Sequence, residues 1–406
     1  MTLTLGGPGQ VLDPDDVRSF VRDHVAALDL DGRSLCVVIP DATRNCPMPV
    51  LLRGIEEGAA GRARSLSAVV ALGTHAPMSD EAISVLAGST GIPIRNHAWW
   101  DEATYAHVGR LPAALVTELS TGRLHDAIDV RVNRLVVESD VTLLVGPVLP
   151  HEVIGFSGGN KYLFPGLSSQ EMIDVTHWLG ALITSSAIIG TRGTTPVRAL
   201  VDAAAELVPG ERHALCVVVD HASGGLESLS FGEPGRAWAA AADVAAETHI
   251  AYVDRPIQRV LSLIPTRYPD LWTGAKGFYK VEPVVADGGE VVLYAPHITE
   301  VAAMHPRLVD IGYHCRDFFL AQWDRYRDVP WGDLAHSTHL YGVGTYDGVE
   351  ERQRVRVTLA TGIPEDVVRR VNLGYLAPGA VDPAGWADDT ETLVVPDAGE
   401  VLYRLR

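Results

Sequence analysis

The chain has 406 residues, 47% of them hydrophobic, and a formal net charge of −18. That length supports two or three domains, and the negative charge argues against nonspecific binding to nucleic acid or to an anionic membrane. No apolar run approaches the roughly 20 residues of a membrane-spanning helix, the start MTLTLGGPGQVLDPDD lacks the segments of a signal peptide, and Cys36, Cys46, Cys216 and Cys315 form neither a CxxC pair nor a disulfide framework. A cytoplasmic location is the simplest reading, with Cys36 and Cys216 as core residues.

Short β-branched runs alternate with helix-like segments along the chain. Strands are expected at SLCVVIP (34–40), LSAVVALG (66–73), VTLLVGPVLP (141–150), HALCVVVD (213–220), RVLSLIP (259–265) and GEVVLYAP (289–296). Helices are expected at SSQEMIDVTHWLGAL (168–182), TTPVRALVDAAAELV (194–208) and GRAWAAAADVAAETH (235–249). The alternation predicts an α/β protein of two α/β domains with largely parallel sheets. The rhythm breaks at DRPIQ, which divides residues 1–256 from 257–390. The closing stretch, 391–406, reads as strand, tight turn and strand, with the last strand returning to the first domain.

Polar residues gather where strands end. Asp41, Thr43 and Arg44 follow CVVIP, Thr74 and His75 follow VVALG, and His151 follows LLVGPVLP. Ligands of open α/β sheets bind outside the carboxyl ends of the strands, so these ends form a candidate site.

Among 33 Lys plus Arg, only Lys161, Lys276 and Lys280 are lysine. Where charge alone is needed, this chain uses arginine; lysine keeps an amine that can lose its proton and attack. Lys161 lies in HEVIGFSGGNKYLFPG (151–166). This is not a Walker A loop, because Tyr162 stands where a magnesium-binding Ser or Thr belongs. Ser157, Gly158 and Gly159 would still let backbone N–H groups approach an anion, with the Lys161 amine beside it. Beyond PG, a helix capped by Ser168 or Ser169 carries His177 about two turns in. A protein-only metal site takes three or four ligands, and none follows His177 at i+3 or i+4. A metal on His177 must therefore draw its other ligands from elsewhere. Lys280, one turn after Lys276, is expected to face solvent.

DATRNCP (41–47), GTHAPM (73–78), HEVIGFSGGNKYLFPG (151–166), His177 and GAKG (274–277), in this order, resemble the lactate racemase family. Its enzymes use a nickel-pincer nucleotide, a pyridinium-3,5-bisthiocarboxylic acid mononucleotide carrying nickel. The resemblance implies an isomerase, a racemase or epimerase of a 2-hydroxy acid, with its active site in the cleft between the two domains. It implies that Lys161 joins the cofactor as a thioamide and that His177 is the fourth nickel ligand. Ser157, Gly158 and Gly159 would receive the cofactor phosphate, with Asp41 nearby.

Two bases, His75 and His151, would flank the substrate. Removing the α-hydrogen as hydride avoids a carbanion beside a carboxylate, provided a base takes the hydroxyl proton. An imidazole suits that exchange near neutral pH. Arg44 and Lys276 would hold the substrate carboxylate, and Trp331 would cover the substrate. Thr273 replaces the glutamine of the family's lactate enzymes, and Ala76 replaces an arginine common after GTH. These smaller side chains suggest a substrate larger than lactate, such as a sugar acid. His314, Arg316, His336 and His339 would bind extra hydroxyls or a second carboxylate, or else lie on the surface. The implied partners are a small 2-hydroxy acid and the enzymes that build the cofactor. Two other readings remain open: a Schiff-base enzyme using Lys161, and a nucleotide-binding protein without catalysis, which would need neither histidine.

Overall fold

Branched and aromatic side chains pack well on a pleated surface, and the β-branched runs form the centre of two sheets. Ser34–Ile39 is buried along its whole length because it runs parallel between Ser65–Val70 and Val141–Pro147. A parallel strand covered on both faces needs a continuous apolar sequence, and SLCVVI supplies one. The computed structural model describes residues 2–73, 75–221, 223–389 and 391–406.

The chain divides into two units. The first comprises Met1–Leu149, Phe156–Thr176 and Arg192–Thr248; the second comprises Pro150–Gly155, His177–Thr191 and His249–Arg406. The sequence-based boundary at 256 lies inside the second unit. The two short excursions, 150–155 and 177–191, leave no trace in the hydrophobic pattern.

In the first unit a seven-stranded sheet runs in the order Leu3–Gly6, Leu226–Gly232, Glu211–Val219, Val141–Pro147, Ser34–Ile39, Ser65–Val70, Ile94–Asn96. The last five are parallel, and the first two add an antiparallel edge. Leu51, Leu52 and Ile55 of the Met48–Ala59 helix share one core with the strand residues Val37, Ile39 and Leu143. Each such side chain contributes about 1.5–3 kcal/mol by leaving water.

The second unit holds a five-stranded sheet in the order Gly374–Tyr375, Arg356–Thr361, Val285–Ala295, Ile257–Leu263, Thr392–Val395. All its pairings are parallel. The two closing strands are not a hairpin. Thr392–Val395 joins this sheet, whereas Leu402–Leu405 pairs in parallel with Ile250–Val253. That partner precedes residue 256 but belongs to the second unit.

The Pro196–Ala205 helix starts as its sequence directs. Thr195 accepts from the Arg198 N–H through its side chain, and proline takes the first turn. The Gln170–Ile183 helix starts differently from expectation. The Ser168 hydroxyl donates to the Pro165 carbonyl, and the Ser169 hydroxyl is buried without a partner among the described residues. The Ser169 carbonyl instead accepts from Met172 and Ile173. No helix of the described residues is long and apolar enough to cross a membrane. Cys36 and Cys216 are buried, and all four cysteines are free thiols.

Candidate active site

Asp41 and His75 follow the ends of two paired strands, whose last partners are Ile39 and Val70. Asp41 Oδ1 accepts from the Thr43 N–H at 2.8 Å, and its Oδ2 lies 2.6 Å from His75 Nδ1. Burial alone would raise the Asp41 carboxyl, but the His75 ring, Arg44 and Thr43 outweigh it and hold Asp41 well below the usual carboxylate range. An ionised carboxylate only accepts, so His75 Nδ1 carries the hydrogen, which places the lone pair of a neutral ring on Nε2. That is the form a general base needs. Arg44 is half-buried, and its N–H closes the turn onto the Asp41 carbonyl at 3.2 Å. Thr74 lies outside the described residues.

His151, in the second unit, is buried. Its Nδ1 accepts from the Val153 N–H at 3.2 Å and lies 3.3 Å from Glu152 Oε2. The backbone donor favours a lone pair on Nδ1, whereas the carboxylate favours a hydrogen there. These two neighbours pull Nδ1 in opposite directions.

The glycine–lysine loop belongs to the first unit from Phe156 onward. Gly158 and Gly159 adopt φ of +84° and +59°, and an added Cβ would meet Val148 Cγ2 at 2.5 Å and Trp238 Cβ at 3.0 Å. Only glycine tolerates both the conformation and the approach. The Ser157 hydroxyl donates to the Pro147 carbonyl and accepts from the Leu149 N–H. These small residues fold the loop tightly against its own unit. Lys161, half-buried, follows on the 3₁₀ turn Gly159–Tyr162. Asn160 Oδ1 beside it is buried and has no partner among the described residues.

Sequence reasoning passed over the residues that hold this loop. Arg198 donates to the carbonyls of Gly158 and Phe156, Trp238 Nε1 donates to the Ser157 carbonyl, and the Asn160 amide donates to Asp202. The available signal was a charged residue inside the apolar stripe of the Pro196–Ala205 helix, where Val197, Leu200, Val201 and Ala204 are all buried.

In the second unit, His177 is half-buried on its helix. Lys276 is buried, with Nζ 4.7 Å from the centre of the Tyr268 ring. The Thr273 hydroxyl donates to Asp270 Oδ1 at 2.9 Å, and its N–H donates to the same oxygen, capping Leu271–Gly274. Trp331 opens the Trp331–Tyr341 helix, donates from Nε1 to the Arg327 carbonyl at 3.0 Å, and tilts against Trp323.

Lys280 does not face solvent. It is 2% exposed and donates to the carbonyls of Pro150 and Glu400, which offset the cost of burying its charge. His336 and His339 are buried, not surface groups. Burial depresses them to about 3 and about 4. His336 Nε2 donates to the Trp272 carbonyl, and its ring stacks on Trp272 with centroids 4.1 Å apart. His339 Nδ1 meets the Ser185 hydroxyl. His314 pairs with Glu351 at 2.8 Å, and Arg316 pairs with Asp317 and donates to the Leu182 carbonyl. Among the described residues, no three His, Cys, Asp or Glu side chains gather to hold a metal.

Residues 21–190 match the lactate racemase N-terminal domain family. In this stretch the chain is similar to the lactate racemase family. It is 29% identical over 160 residues to the lactate racemase of Lactiplantibacillus plantarum, covering 38% of this chain and 35% of that protein. It is 23% identical over 274 residues to the lactate racemase of Thermoanaerobacterium thermosaccharolyticum, covering 65% of this chain and 60% of that one. The matched stretches therefore span less than two thirds of either relative. The lactate racemase apoprotein structure from the second organism aligns over 100% of both chains, with a TM-score of 0.73 and 17% identity, and so shows the fold. A crystal structure of a Thermotoga maritima protein, a structural-genomics target, aligns at a TM-score of 0.91 and 29% identity, covering 98% of this chain and 100% of that one.

Within this lactate racemase fold, Asp41, Arg44, His75, Ser157, Gly158, Gly159 and Lys161 fall in the first unit, and His151, His177, Thr273, Lys276 and Trp331 in the second. The first unit joins Asp41 directly to His75. The loop's chemistry fits the nucleotide that the family resemblance implies. It offers a half-buried primary amine on a turn, next to a buried amide oxygen that has no donor among the described residues.

Proposed function

We propose that this protein is an isomerase, a racemase or epimerase that inverts the α-carbon of a 2-hydroxy acid. The observation that supports this reading most is the Asp41–His75 hydrogen bond of 2.6 Å. It leaves His75 Nε2 ready to take a hydroxyl proton. In this reading Lys161 and His177 would hold a nickel-pincer nucleotide, Lys161 through its amine and His177 through its imidazole. Asp41, Ser157, Gly158 and Gly159 shape the cofactor's seat. A nucleotide of this kind would supply the hydride-accepting and hydride-returning chemistry that inversion of the α-carbon needs.

The chain's own residues do the rest. Arg44 grips the substrate carboxylate through its planar fork, and Lys276 adds a second cation. His75 removes the hydroxyl proton of one enantiomer and His151 that of the other, each giving it back as the alcohol re-forms. Trp331 covers the substrate. The short Thr273 leaves room for an acid larger than lactate, such as a sugar acid. Cofactor-building enzymes load the protein, and four free cysteines suit a cytoplasmic setting.

The test is production together with the cofactor pathway, followed by intact mass and nickel content, with Lys161→Ala alongside. A nickel-bearing adduct that disappears in the variant is expected. Alanine at His75 or His151 should then keep the nickel and lower kcat about 10²- to 10⁴-fold. No nickel and no adduct, in a host that loads a known relative, would overturn the proposal. Turnover of lactate with none of longer polyhydroxy acids would sink the larger substrate.

A further inference from the structure

We propose that Arg198 is the positioning residue for Lys161, fixing the backbone of residues 156–160 in the course that presents the lysine amine. The inference rests on reading Lys161 as the residue that joins the cofactor. Its geometry lies within the first unit.

Arg198 is 1% exposed. A buried guanidinium is costly unless its N–H groups find partners. Here one Nη donates to the Gly158 carbonyl at 3.1 Å and the other to the Phe156 carbonyl at 2.6 Å. Two carbonyls two residues apart, held by one rigid fork, fix the curvature of the chain between them. The Gly158 oxygen also accepts from the Lys161 N–H at 3.3 Å. Arg198 and Lys161 therefore meet on a single atom.

The flanking groups complete the clamp. Trp238 lies under the guanidinium at 4.1 Å and takes the intervening Ser157 carbonyl at 2.9 Å. Asp202, one helical turn beyond Arg198, takes the Asn160 amide at 3.0 Å. Burial lowers Arg198 to about 10, against the pull of Asp202, so the fork stays charged near neutral pH. Lysine at this position would reach the loop with an ammonium but without the planar fork. Glutamine would lose the charge as well.

Because the chain has three lysines, each can be followed separately. Trace acetylation with isotopically labelled acetic anhydride, completed in denaturant and read by peptide mass, gives the rate at Lys161 against Lys276 and Lys280 as internal references. In Arg198→Gln the relative rate at Lys161 should rise about tenfold, as the loop loses two charge-assisted hydrogen bonds. Trp238→Phe should raise it about threefold, for one neutral bond lost. Arg198→Lys should fall between wild type and Arg198→Gln.

A Lys161 rate within about twofold of wild type in both Arg198→Gln and Trp238→Phe, each still unfolding cooperatively, would overturn the proposal. If Arg198→Gln does not fold, Trp238→Phe decides alone. Co-production with the cofactor pathway separates the two claims. Wild type gaining an adduct that Arg198→Gln lacks supports both. No adduct on wild type removes the cofactor reading, while the acetylation rates still decide whether Arg198 positions Lys161.

Discussion

His75 and His151 are assigned the same task but have different surroundings. His75 donates from Nδ1 to a buried, ionised Asp41 at 2.6 Å, which leaves one tautomer. His151 Nδ1 takes a backbone N–H from Val153 at 3.2 Å and has Glu152 at 3.3 Å, which favour opposite tautomers. The difference teaches that, in the proposed reaction, proton acceptance would be favoured by the fixed Nδ1 partner at His75 and less so at His151. A reaction run from either enantiomer would feel that difference.

The largest effect expected from breaking the comparison is at Asp41. An asparagine there could present its NH₂ to His75 and permit the wrong tautomer, so Asp41→Asn should lower kcat about a hundredfold or more. Glu152→Gln should cost about tenfold or less, because the Val153 N–H still orients His151. Initial rates from each enantiomer of the preferred acid, with nickel content matched, measure both. Equal losses would mean that the two histidines are equivalent despite their neighbours.

Asp41 also shows where the sequence stopped being legible. Its place after a strand end could be read from CVVIPDATR, because strand runs and the residues that follow them are local patterns. Its partner could not, because His75 lies 34 positions away, after the end of a neighbouring strand, and only the parallel register of the two strands sets them side by side. The resemblance placed Asp41 near the cofactor; the fold gives its carboxylate to a histidine. Ser157 and the glycines were legible as a special loop, but the clamp of Arg198, Trp238 and Asp202 was not. Its bonds run mostly to backbone carbonyls, which carry no residue-type signal. The fold class, α/β with largely parallel sheets, needed only the alternation of runs.

Lys280 was misread for the same reason. Its ammonium meets the Pro150 carbonyl across 130 positions, just before His151. It does for the second unit what Arg198 does for the first: a buried cation holds the backbone beside a candidate site residue. Lys280→Met should therefore destabilise the protein by about 3 kcal/mol, because two buried carbonyls lose a charged donor. Urea unfolding measures this as a lower midpoint at an unchanged slope. A loss below about 1 kcal/mol would show that the strand end holds its course without the lysine.

The smallest expected effect compares the two units through acid. Burial lowers His336 to about 3 and His339 to about 4 in the second unit, and His97 to about 4 in the first. Each is depressed in the folded state below the ordinary value of about 6.5. Between about pH 6.5 and the folded value, the unfolded chain binds the extra proton, so stability falls as pH falls. The stabilisation is fully present above about pH 6.5 and is lost progressively toward about pH 4. Asp41 adds nothing in this window. Its carboxyl is also depressed, and its contribution is lost only as pH drops through the ordinary carboxylate range, below about 4. With His336 and His339 against His97, these groups should make the second unit lose about 1 kcal/mol more than the first for each pH unit below 6.5. Hydrogen exchange at pH 6.5 and 5.5, corrected for intrinsic rates, resolves the units peptide by peptide. His339→Gln should reduce the excess in the second unit, provided the amide keeps the bond to Ser185. Equal acid sensitivity in the two units, with His336 and His339 intact, would mean that the second unit admits protons to these rings without opening.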